Sequence, residues 1–252
     1  MTVVQFGDWI AAGKPMPPDA QSLDPGGPYA AEIYWRPEWS VEAATLGYND
    51  TANCTNAQAL EQTEFDVSGP TYAAYLADPT TAARYPINCV NWYQAVAYCW
   101  YAGHKRLATE AEYQYEITGL TRGLTYPWGN APPPVACDRA VWRGDGGSAN
   151  HWNGCGFPVD VGSAEAGASF DGVLDMQGSV EEWIWNRPNN EYPPSWQDYA
   201  GPANDSGPDP QRTARGGSWF TAAAEMDGKR YDNLGPTSIY TDLGIRCAQT
   251  KL

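Results

Sequence analysis

Histidine is nearly absent from this 252-residue chain, which has only two. A metal centre built on three imidazoles is therefore excluded. Basic side chains are also scarce: 15 Lys and Arg stand against 30 Asp and Glu, for a formal charge of −15. Binding through a nucleic-acid backbone needs clustered cations, so no nucleic-acid partner is expected. The acidic excess suits a self-repelling soluble particle or a cation ligand. No apolar run approaches the roughly 18 residues of a membrane span. The opening stretch, MTVVQFGDWIAAGKPMPP, lacks a basic start followed by an apolar segment, so no signal peptide is expected in this chain. Charged residues make up 18% and aromatics 13%, a balance unlike that of disordered chains.

What the chain has in quantity is Trp (12), Tyr (16), Gly (26) and Pro (21). Gly and Pro recur throughout and interrupt both helices and strands, so long elements are not expected. Two stretches read as helices, Val67 to Leu76 (with Ser68 as cap and Pro70 in the first turn) and Trp92 to Gly103. A shorter helix starts after Thr109, where Thr-Glu-Ala-Glu forms a capping box with Glu112. Beyond Gly119 the pattern is loops and short strands. Loops of that extent need staples, which disulfides, metal ions or buried Trp would supply. Six cysteines fit three disulfides and an oxidising compartment, or six buried thiols. With no repeat or linker, one domain over 1–252 is expected, with 1–45 as an N-terminal extension wrapped on it.

From Asp66 to Ala248 the sequence resembles the formylglycine-generating enzyme (sulfatase-modifying factor) family. The resemblance rests on an ordered string of segments. Tyr85-Pro86-Ile87-Asn88-Cys89-Val90-Asn91-Trp92 runs into Ala95-Val96-Ala97-Tyr98-Cys99. Gly103-His104-Lys105-Arg106-Leu107-Ala108-Thr109-Glu110-Ala111-Glu112-Tyr113 follows, then Tyr126-Pro127-Trp128-Gly129-Asn130 and Pro158-Val159-Asp160. Asp175-Met176-Gln177-Gly178-Ser179-Val180-Glu181-Glu182-Trp183, Arg215-Gly216-Gly217-Ser218-Trp219 and Leu243-Gly244-Ile245-Arg246-Cys247-Ala248 complete it. The resemblance implies an α+β, C-type-lectin-like fold with little regular secondary structure and long loops. The family contains oxidases and non-catalytic members that present a variable binding surface.

The family's formylglycine-generating members hold copper(I) with two cysteines just after the Gly-Gly-Ser-aromatic segment, and thiolates are the soft ligands this ion selects. Here Thr221 stands at the first position, and Glu225 or Met226 at the second. No cysteine lies between Cys155 and Cys247, so no copper is expected. Neither a His nor a carboxylate pair adjoins the segment in sequence. The resemblance also implies a disulfide between Cys99 and Cys247, worth about 5 kcal/mol at most for a loop of about 150 residues. By elimination and proximity, Cys137 is paired with Cys155 and Cys54 with Cys89.

Asp175 to Glu182 is similar to a structural calcium loop of the family. Carried over, the ligands are the Asp175 and Glu182 side chains and the Gly178 and Val180 carbonyls, a hard-oxygen set that suits Ca²⁺. The plain alternative is a turn followed by a solvated acidic face. A second family calcium site needs an Asn where Ala140 stands.

Most tryptophans in the loop-rich half (Trp128, Trp142, Trp152, Trp183, Trp185, Trp196, Trp219) are expected to be core. The candidate ligand face is Trp219, Thr221, Glu225, Arg230, Tyr231 and Tyr240, in the segment that forms the substrate cleft in relatives. His104 and His151 read as surface residues. Three glycosylation-type triplets start at Asn49, Asn53 and Asn204. The reading is a calcium- and disulfide-stapled, non-catalytic member outside the cytosol: extracellular, periplasmic or on the cell surface. It would recognise a protein, peptide or glycan, or serve as a subunit of an extracellular assembly. The competing reading is an oxidase of the same fold with a divergent centre.

Overall fold

The computed structural model describes residues 1–30, 33–44, 54, 71–119, 122–134, 137–142, 158–188 and 211–250. The first helix, α1 (Val3–Ala11), starts at a reciprocal cap: Gln5 N donates to Thr2 Oγ1, and Thr2 N to Gln5 Oε1. Val3, Phe6 and Trp9, one helical turn apart, are fully buried against the main core. The described part of the first 44 residues thus contributes to that core, which also takes in Leu23, Ile33, Trp35 and Trp39. Helix α2 (Trp39–Ala44) adds Trp39 and Ala43.

Helices α3 (Thr71–Ala77) and α4 (Pro79–Ala82) follow; Asp78 caps α4 through Thr80 N, and Pro79 occupies the first turn. The expected start of α3, including the Ser68 cap, lies outside the described residues. Thr71 is fastened instead by Asn88, whose Oδ1 accepts from Thr71 N at 2.7 Å.

The central helix, α5 (Trp92–Tyr101), also has a reciprocal cap, between Asn91 and Gln94, and its residues from Trp92 to Cys99 are buried. It ends at Ala102, just before Gly103 takes the left-handed conformation. Helix α6 (Glu110–Thr118) has the expected Thr109/Glu112 box and stops at Gly119, whose φ of 60° terminates it.

The strands are two to four residues long. β1 (Arg106–Leu107) pairs antiparallel with β6 (Cys247–Ala248). A second sheet has the order β4-β3-β2-β5, built from β2 (Glu181–Trp183), β3 (Arg212–Arg215), β4 (Tyr231–Leu234) and β5 (Leu243–Ile245). β2 runs parallel to β5 and antiparallel to β3, and β4 is an edge.

Tryptophans bind the loops to these elements. Trp39, Trp92 and Trp185 pack edge-on or tilted, with ring centroids 5.1–6.1 Å apart, and the Arg212 guanidinium lies 4.1 Å over Trp92. Their N–H groups find loop carbonyls: Trp92 Nε1 donates to Ile184 O and Trp183 Nε1 to Val90 O, both at 2.9 Å. Trp128 is half-buried and stacks on Tyr126; Trp152 and Trp196 lie outside the described residues.

Disulfides join Cys54 to Cys89 and Cys99 to Cys247, the second tying α5 to β6. Cys137 is disulfide-bonded as well, while Cys155 lies outside the described residues. These bridges are consistent with an oxidising compartment. No helix among the described residues is long and apolar enough to cross a membrane. The acceptor residues Asn49, Asn53 and Asn204 and also His151 fall outside the described residues. His104 is exposed and stacks on Trp100.

Candidate functional site

The segment after β3 makes a tight turn. Gly216 and Gly217 both have positive φ (98° and 64°), which only glycine adopts without strain. A Cβ on Gly217 would meet Met226 Sδ and Thr221 Oγ1, each at 3.2 Å. Thr221, at the first position that the resemblance assigns to copper, and Met226, one of the two candidates for the second, therefore close on the same glycine. The Thr221 hydroxyl accepts from Ser218 N at 2.8 Å. Met226 is fully buried against Tyr126, Ala140 and Trp142. A hydroxyl and one thioether are not the paired thiolates that hold Cu(I), so the donor set does not fit that ion.

Backbone bonds fasten this turn to the Asp175–Glu182 loop. Gly178 N donates to Gly216 O at 2.9 Å and Trp219 N to Ser179 O at 2.8 Å. Trp219 is only 3% exposed and packs with Val141, Val180 and Phe220, and Thr221 is 5% exposed. Tyr240 packs on the main core. Expected on the ligand face, Trp219 and Thr221 are instead buried. An aromatic beside a Gly-Gly turn reads alike in sequence whether it faces in or out. Glu225, Arg230 and Tyr231 do lie together at the surface: Arg230 Nη1 is 3.4 Å from Glu225 Oε1, and Tyr231 is 40% exposed.

Arg230 is the hub of an acidic cluster that the sequence did not reveal. It reaches Asp232 at 2.9 Å and Glu181 at 3.5 Å. Asp242 joins from the turn just before β5: its Oδ2 accepts from Ser218 Oγ at 2.9 Å. Burial pushes the carboxyls of Glu181 and Asp242 above the usual range, and the neighbouring acids push Glu181 the same way. No short-range pattern places these acids together. Sheet pairing does so, through the parallel register of Glu181 with Leu243 and the antiparallel register of Ala214 with Asp232.

The expected calcium ligands lie on a loop with positive φ at Asp175, Gly178 and Ser179. Asp175 Oδ2 accepts from Gly162 N at 2.5 Å. Glu182 is bound by Arg246, whose Nε donates to Glu182 Oε2 at 2.6 Å and whose Nη2 donates to the Leu174 and Asp175 carbonyls at 2.9 Å. Burial opposes the Arg246 charge, and Glu182 more than offsets it, holding the guanidinium firmly protonated. Among the described residues, Asp175 Oδ1 and Glu182 Oε1 take no hydrogen bond, so one hard oxygen at each end of the loop suits Ca²⁺. Among the described residues no group of three or more His, Cys, Asp or Glu could hold a metal, so any ion here would also need backbone carbonyls.

A tryptophan-stapled α+β fold with a Gly-Gly-Ser turn and a carboxylate-bearing loop defines a class. Residues 16–251 match the sulfatase-modifying factor enzyme 1-like domain, and the chain belongs to this family. It is similar to the inactive C-alpha-formylglycine-generating enzyme 2 of Mus musculus, 29% identical over 170 residues that cover 66% of this chain and 49% of that protein. It is also similar to hercynine oxygenase of Mycolicibacterium thermoresistibile, 36% identical over 145 residues, 55% of this chain and 30% of that protein. The chain thus spans about half the length of the first relative and under a third of the second. In fold it is similar to Treponema denticola variable protein 1, with TM-score 0.51, 23% identity, and coverage of 66% of this chain and 71% of that one.

Proposed function

We propose that this protein is a non-catalytic binding member of its family, recognising a protein, peptide or glycan outside the cytosol. The carrying observation is the turn itself, where Thr221 and Met226 close on Gly217 with no thiolate present. The ligand surface is reduced to Glu225, Arg230 and Tyr231 beside the edge strand β4. An edge strand with an exposed aromatic and a mixed-charge pair suits a polypeptide or sugar partner. Anaerobic Cu(I) titration with a Cys-containing substrate peptide is the first test. Neither tight binding nor turnover is expected, and both together would overturn the reading. Peptide and glycan arrays probed with the wild type and with Glu225→Ala/Tyr231→Ala test the face. Specific signals should vanish in the variant; signals that persist place recognition elsewhere.

A structural calcium ion belongs to the same proposal. Asp175 and Glu182 would hold it, together with the Gly178 and Val180 carbonyls, and it would stiffen the loop that carries the Gly-Gly-Ser turn. Chelation should lower the melting temperature of the wild type but not of Asp175→Ala. Equal melting with and without chelator would sink this part.

A second reading, an oxidase with a divergent centre, is favoured by the polar cluster of Ser218, Asp242, Glu181 and Arg230 beside the turn, and by the likeness to hercynine oxygenase. Oxygen consumption over a panel of thiol substrates would support it, and silence across the panel counts against it.

A further inference from the structure

Helix α6, strand β6 and the chain around Val173–Met176 line an open cavity of about 580 Å³, within the size range of small-molecule sites. It shares no residue with the Glu225–Arg230–Tyr231 surface. Its aliphatic lining, referred to as the floor, is Ala108, Ala111, Val173, Met176 and Ala248.

The wall contributed by α6 carries Glu112 and Glu116, one helical turn apart. The two differ in what already occupies them. Glu112 receives both terminal nitrogens of Arg106, at 2.7 and 2.8 Å, and also caps Thr109 N. Glu116 accepts only the Ser169 hydroxyl, at 2.5 Å, and among the described residues it makes no ion pair. The one cation in the lining, Arg246, is committed to Glu182 and to two carbonyls. The cavity therefore offers an apolar floor and one carboxylate without a cationic partner among the described residues, in a chain of charge −15.

We propose that this cavity binds a primary ammonium on an apolar stem. The stem lies on the Ala/Val/Met floor and the ammonium on Glu116. A carboxylate beside aromatic walls (Tyr113 and Tyr115 flank it) favours cations over anions and neutral analogues. Two sources share this chemistry, a free alkylamine and the lysine side chain of a peptide.

Calorimetric titration of the intact protein with n-hexylammonium, hexanol and hexanoate tests the proposal. Saturable hexylammonium binding with Kd at or below about 1 mM is expected, with hexanoate much weaker. Acetyl-Gly-Lys-Gly-amide distinguishes the sources: tighter binding than hexylammonium assigns the site to peptides, and weaker binding assigns it to free amines. Glu116→Gln should weaken hexylammonium about tenfold or more with little change for hexanol. Ala111→Phe, which fills the floor, should abolish binding of both. Should the bulkier variant fail to fold, Glu116→Gln alone decides. Hexanoate binding as tight as hexylammonium, no saturable binding of either amine, or an unchanged Kd in Glu116→Gln would each overturn the proposal.

Discussion

Asp242 shows how one side chain couples the turn to the sheet. Its carboxylate takes the Ser218 hydroxyl, and its carbonyl accepts Glu181 N at 2.7 Å. Burial raises its pKa, so at intermediate pH the folded state binds more protons than the unfolded state. Stability then falls as pH rises from the unfolded carboxyl value toward the raised folded one. Asp242→Asn keeps an acceptor for Ser218 and removes the cost of burying charge. The variant's melting temperature relative to wild type should therefore improve as pH rises above the unfolded aspartate value of about 4. A difference that is flat or worsens with pH contradicts the sign. This role was not legible in the sequence, where Asp242 is one polar residue in a Thr-Asp-Leu stretch. The same holds for Arg246. The guanidinium that binds Glu182 comes from the residue after β5, far along the chain, and no local pattern around Glu182 signals it.

Elements with strong local signals were readable, and those fixed by partners were not. Helix α6 carries its own start in Thr109 and Glu112 and its stop in Gly119, and the structure uses all three. Thr109→Ala should cost about 1 kcal/mol, measured by denaturant unfolding, because it removes the acceptor for Glu112 N. An unchanged midpoint would mean that the Arg106–Glu112 pair alone fixes the helix start. Helix α1 gives a weaker signal, although Thr2 and Gln5 make the same kind of box and Val3, Phe6 and Trp9 recur on one face. Gly7 in its centre and the Pro-rich stretch after it hid the period. The strands are shorter than the window over which alternation is visible. β2 even buries two consecutive glutamates, stabilised by Arg230 and Arg246 rather than by apolar packing. Arg106 on β1 is a further case: it is 1% exposed and held between Asp24 and Glu112. Asp24→Ala, which strips one partner from this buried cation, should destabilise by about 3 kcal/mol or more, as read by urea unfolding.

Across the whole molecule, distant parts of the chain are brought together at its centre. Cys99 on α5 meets Cys247 on β6, β1 meets β6, and β2 meets β5. The family resemblance named that disulfide. Composition and spacing alone left 15 pairings open. Replacing both cysteines by alanine should lower unfolding free energy by about 2–5 kcal/mol, measured in guanidinium. A loss well below that range would mean the two-stranded ladder and core packing alone set the closure. This architecture also governs the protein's birth. A ribosome releases α5 and β1 long before their partners exist, and rules for long-range pairing make such closure slow. Among the described elements β6 is synthesised after the others, so the disulfide and the two-stranded ladder that hold α5 and β1 can close only once it has emerged.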